Sequence, residues 1–215
     1  MRRWAGLSGL GFVVSFTLGA TLYGGGAGSR QQEITAYYAS LGSRLHQIEG
    51  FAVLLVASVL LMFYVAVLRR RTVRDALMGD VANLSGAAAV AFLMLANTLW
   101  AATAFTVQIQ GSYQVAAESH LLIEDAAFIC LVTGMAAGIP WVLVTSFSGV
   151  RNGELPGWFA VLGVIAMVGQ ALAYWYLPLI GFLLWVAAGS VLLVVRPRST
   201  TNPSAVVARP RAAVH

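Results

Sequence analysis

The chain has 215 residues, 59% of them hydrophobic and 10% charged, with a formal net charge of +5. Soluble chains average about 45–50% apolar and about 25% charged residues, so a soluble globular domain is excluded. A disulfide framework is excluded too, because Cys130 is the only cysteine. A mean hydropathy of +0.80 leaves an integral membrane protein.

Six apolar stretches, at residues 4–23, 50–68, 81–105, 126–147, 158–175 and 177–195, contain no Asp, Glu, Lys, Arg or His. About 20 helical residues cross the roughly 30 Å of hydrocarbon. Period-2 alternation is absent, and backbone groups in lipid must pair within the segment, so helix is the spanning form. The pattern predicts an all-α bundle of six transmembrane helices forming one membrane domain over 1–195. The first stretch follows Arg2 and Arg3 as a signal peptide would. Its apolar run is longer than the about 7–15 residue core of such a peptide, so an uncleaved anchor is expected.

The first loop, 24–49, opens with a glycine-rich break. Ile34, Tyr37, Tyr38, Leu41 and Leu45 then recur at helical spacing over 31–45. That periodicity predicts an amphipathic helix lying on the outer leaflet. Stretches five and six meet at Tyr176–Pro178, so tightly that they must be antiparallel neighbours. Trp158 at one end and Tyr174, Trp175 and Tyr176 at the other read as interfacial aromatic belts. Residues 196–215 mix Pro, Ser, Thr, Ala and Arg without periodicity, as a disordered basic tail does.

All thirteen basic residues are arginine. Eleven fall in the termini and the second and fourth loops, including Arg69, Arg70, Arg71, Arg74 and Arg151, while the first and third loops together hold two, Arg30 and Arg44, both in the first. With the acids counted, one side carries +8 and the other −3. The positive-inside rule then predicts a plasma-membrane protein with both termini cytoplasmic. Insertion accounts for the basic charge, and no nucleic-acid partner is expected.

Helices in lipid associate through small residues. Gly11, Ser15 and Gly19 in the first stretch and Gly134 and Gly138 in the fourth are spaced for packing, within the bundle or across a homodimer. Pro140 predicts a kink. Asn97 and Gln170 are polar groups at membrane depth, expected to hydrogen-bond between helices.

Stretches free of ionisable groups argue against a proton-driven transporter and a multi-haem cytochrome, and no cofactor is expected. Chemistry is confined to one outer-face cluster. His46 and Glu49 are three apart, His120 and Glu124 four apart with Asp125 adjacent, so each pair shares a helix face. Two imidazoles with carboxylates suit a divalent metal or acid–base work. Interfacial solvation, or an ion pair with Arg44, accounts for the same residues without chemistry. Cys130 reads as a small buried hydrophobe.

The charged entry Ser43-Arg44-Leu45-His46, the acids after Ile123 (Glu124, Asp125) and the turn from Arg151 through Pro156 to Trp158 together resemble a bacterial, often actinobacterial, group of six-span proteins. That group is defined only as a domain of unknown function. The resemblance implies the six-span fold and brings no substrate. Three functions remain open. The first is a non-catalytic accessory or partner-binding subunit acting in the lipid bilayer. The second is a small-solute or lipid transporter, and the third an outward-facing metal-dependent hydrolase.

Overall fold

The structure, a computed structural model, describes residues 2–23, 26–111, 115–172 and 179–195. Among them there are seven helices and no strand: α1 (Arg2–Tyr23), α2 (Gln31–Ala39), α3 (Leu41–Thr72), α4 (Ala76–Gln110), α5 (Ala117–Arg151), α6 (Trp158–Ala171) and α7 (Leu179–Val195). The turn expected at Tyr176–Pro178, the belt residues Tyr174–Tyr176 and the tail 196–215 lie outside the described residues.

Four helices are long and apolar enough to cross a membrane: α1, α3, α4 and α5. The predicted fifth and sixth spans are shorter, 14 residues in α6 and 17 in α7, or about 21 and 26 Å at 1.5 Å per residue. By contrast α3, α4 and α5 have 32, 35 and 35 residues. They reach about 48–53 Å, some 20 Å more than the roughly 30 Å a crossing needs.

Side-chain chemistry sets the boundaries. Ser40 Oγ accepts from the Ser43 amide and starts α3, and an Asp75 carboxylate oxygen accepts from the Met78 amide and starts α4. Gly111, at φ +66, closes α4 in the left-handed conformation.

Each long or apolar helix packs against the next in the chain, and α7 returns to α1, so six helices form a closed ring. Neighbours run antiparallel. Gly9 and Gly19 of α1 meet Tyr64 and Leu54 of α3, and Phe51 and Val65 of α3 meet Phe105 and Gly86 of α4. Phe159 and Ile165 of α6 meet Gly189 and Gly181 of α7, while Gly6 and Gly9 of α1 meet Val194 and Ser190. Inside the ring, Phe12, Tyr64, Trp141, Phe159, Phe182 and Trp185 fill one half with edge-to-face aromatic contacts. Such contacts add about 0.5–1.5 kcal/mol each beyond area burial.

Both small-residue stripes pack within the chain. A Cβ on Gly11 would meet Leu60, and one on Gly19 would meet Leu54 and the Gly50 carbonyl. A Cβ on Gly134 would strike Phe92, and one on Gly138 would meet Gln170 and Ala89. Ser15 is half-buried. Pro140 lies inside α5, and the next amide, that of Trp141, donates to Ser85 Oγ of α4 at 2.7 Å. A neighbouring hydroxyl thus takes up a backbone donor beside the proline, as apolar surroundings require.

The helix expected over 31–45 divides at Ser40, whose ψ of 119 is extended. Ile34 and Tyr38 are fully buried against Ala104 and Val107 of α4, so the apolar face of α2 meets protein. Gln31 clips this helix to α5: its Nε2 donates to the Val115 carbonyl and its Oε1 accepts from the Ala117 amide. Leu41 and Leu45 continue into α3 and are exposed.

Candidate functional site

The aromatic core occupies the ring toward the arginine-rich end. Toward the α2 end the helices enclose a cavity of about 420 Å³ lined by Phe16, Ala20, Tyr23, Gly26, Gln47, Leu54, Asn97, Trp100, Glu124, Leu131 and Leu179. Its wall divides by chemistry. Phe16, Ala20, Leu54, Leu131 and Leu179 make its apolar lining. Gln47, Asn97, Glu124, Tyr23 and Trp100 supply the polar atoms.

Asn97 is 1% exposed, and neither its Nδ2 nor its Oδ1 has a hydrogen-bond partner among the described residues. Leaving a buried polar group unmatched costs about 1–3 kcal/mol, and few native groups are left so. The interhelical bond expected of Asn97 is not made by its side chain; the Tyr23 hydroxyl reaches its backbone carbonyl at 3.5 Å. Gln47, 4% exposed, spends its Nε2 on the Trp100 carbonyl at 3.0 Å, and its Oε1 is unmatched. Trp100 and the Glu124 carboxylate share this wall, and the Tyr23 and Trp100 rings lie 6.1 Å apart. Gln170, also at membrane depth, is buried with its Oε1 unmatched and packs near Gly138, apart from this wall.

The outer-face cluster is divided by the structure. His120 is 2% exposed, with Nε2 4.0 Å from Glu124 Oε1 and its ring edge-on to Tyr38. Asp125, one residue on, is exposed. His46 and Glu49 lie on the exposed face of α3, whose inward face at that level carries Arg44 and Gln47. Among the described residues, no three of His, Cys, Asp and Glu stand close enough to hold a metal ion.

Arg44 is a residue the sequence reading undervalued. It is 5% exposed, its Nε donates to Gln108 Oε1 at 3.0 Å, and its Nη1 donates to the Tyr38 carbonyl. It thereby ties α2, α3 and α4 together beside the cavity. Burial pushes the Tyr38 hydroxyl up to about 12, so it keeps its proton at neutral pH. Burial, with the Glu124 carboxylate second, raises that of Tyr37 as well.

The arrangement suits binding an amphiphile. A polar head can satisfy Asn97, Gln47 and Glu124 while its chain displaces water from the apolar part. Compared with family models, curated proteins and solved structures, the chain matches none of them.

Proposed function

We propose that this chain is a six-span membrane protein that binds a small amine- or hydroxyl-bearing amphiphile in the cavity beneath α2. The observation that carries the reading is Asn97, a buried amide on a cavity wall whose Nδ2 and Oδ1 have no partner among the described residues. Glu124 accepts hydrogen bonds from such a head, and Trp100 and Tyr23 offer aromatic faces suited to a cation. Support for six spans comes from α6 and α7, which run antiparallel between α5 and α1 and complete the ring. Of the arginines, Arg69, Arg70, Arg71, Arg74 and Arg151 gather at the ring's other end, which the positive-inside rule assigns to the cytoplasm together with both termini. The cavity then faces the outer leaflet. This role is binding or carriage of the ligand, and the likeness to the bacterial six-span group is a likeness of fold.

The test is titration of the full chain in nanodiscs with decylamine and with decanoate. Saturable binding of the amine, absent with the carboxylate and lost in Asn97→Leu, is the expected result. Equal uptake by wild type and Asn97→Leu would reduce the cavity to ordinary lipid partitioning.

A second reading is the accessory subunit that binds a membrane partner. It draws on the exposed ledge at the start of α3, where Leu41, Leu45, His46 and Glu49 face outward. A photocrosslinking residue at Leu45 in native membranes should then give one discrete heteromeric product; only lipid adducts would remove this reading.

A further inference from the structure

At the arginine-rich end, the second-loop junction and the last turn of α5 enclose a pocket of about 620 Å³ lined by Arg74, Asp75, Leu77, Met78, Ser148, Arg151 and Asn152. A second hollow of about 350 Å³, lined by Met78, Leu143, Val144, Phe147, Ser148 and Arg151, runs along α5 from it. Met78, Ser148 and Arg151 line both. A basic, polar pocket therefore opens into an apolar groove between the same two helices.

The charges in the pocket are unevenly committed. Asp75 is engaged as the cap of α4, accepting from the Met78 amide at 2.8 Å. Asn152 donates to the Thr72 carbonyl at 2.8 Å. Arg74 stands 3.8 Å from Glu154 Oε1 and is well exposed. Arg151 is exposed and makes no ion pair among the described residues. Two guanidinium groups from chain positions far apart thus line one pocket, and its lining acid, Asp75, accepts from a backbone amide. In the groove below, Phe147 and Met78 are exposed large apolar side chains.

We infer that this paired pocket and groove bind an anionic phospholipid, with its phosphate between Arg74 and Arg151 and one acyl chain along Met78, Leu143, Val144 and Phe147. Guanidinium groups take phosphate in a planar, two-point fashion. Basic pockets between helices on the cytoplasmic side of a membrane are suited to such heads. A free phosphate would use the pocket and leave the groove uncovered; a lipid covers both. The site lies at the opposite end of the ring from the amphiphile cavity, so either can fail without the other.

The experiment is native mass spectrometry of the full chain in detergent with dioleoylphosphatidylglycerol, dioleoylphosphatidylcholine and glycerol 3-phosphate. Phosphatidylglycerol should be retained roughly thirtyfold over phosphatidylcholine, given about 1 kcal/mol for each of the two arginines at an anionic surface. Glycerol 3-phosphate should not compete. Arg151→Gln should cut that preference about fivefold, while Arg70→Gln, an exposed arginine outside the pocket, should leave it unchanged. Equal retention of the two lipids, equal losses in the two variants, or full competition by glycerol 3-phosphate would each overturn the site.

Discussion

Asn97 and Arg44 are both buried polar side chains, with opposite fates. Arg44 donates to Gln108 and to the Tyr38 carbonyl. The Nδ2 and Oδ1 of Asn97 have no partner among the described residues. Asn97→Leu should therefore stabilise the ligand-free chain by about 1 kcal/mol, since it removes an unmatched amide from an apolar wall. A raised thermal midpoint in detergent, beside lost decylamine binding, would separate a ligand-binding amide from a structural one. Arg44→Ala should act in the other direction. Hydrogen bonds to charged groups contribute about 1.5–3 kcal/mol, and their loss leaves the end of α2 untied. Protease cleavage between residues 26 and 40 should accelerate in this variant, and cleavage as slow as wild type would show that Gln31 alone holds α2.

The glycines carry the packing at the scale of helices. Gly19 and Gly50 approach so closely that a Cβ on either would lie 3.2 Å from the other's carbonyl oxygen. Gly19→Val should cost about 1–3 kcal/mol through overpacking between α1 and α3, read as a lowered unfolding midpoint. Gly157→Ala, with open space around it and φ of −56, should be close to neutral in the same assay.

This scale also explains what was legible in the sequence. Four long apolar helices, the small-residue stripes and a helix in the first loop follow from hydropathy and spacing alone. The inward face of α3 was legible as well: the stripe Leu61, Ala57, Leu54, Gly50, carried back by three, reaches Gln47 and Arg44. His46 and Glu49 carry the more reactive chemistry but sit out of that phase. The cavity was not legible, because Tyr23, Asn97, Trp100 and Glu124 come from three helices whose rotations are fixed only by tertiary packing.

For the whole molecule, the hairpin of α6 and α7 sets the topology. Six spans bring the α6–α7 connection to the α2 side of the membrane, whereas four spans keep it on the arginine-rich side. In a Cys130→Ser background, Leu172→Cys should react with a membrane-impermeant maleimide added outside intact cells. Labelling only after permeabilisation would return the hairpin to the cytoplasmic face. Among the described residues, Arg71 Nη1 also donates to the Leu193 carbonyl at 3.1 Å, a polar tie between α3 and α7.

Closure of the ring by α7 against α1 has a consequence for biogenesis. Helix α1 leaves the ribosome well before α7, and it finds one of its two ring neighbours only when α7 has been made. At about 5–20 residues per second, the stretch from the end of α1 to the end of α7 takes roughly 10–35 s to make, and through most of that time the Gly6–Gly9–Phe12 face of α1 lacks its α7 cover. A nascent chain lacking α7 therefore presents a small-residue groove inside the bilayer, the kind of surface that membrane insertases shelter and membrane proteases read as unfinished.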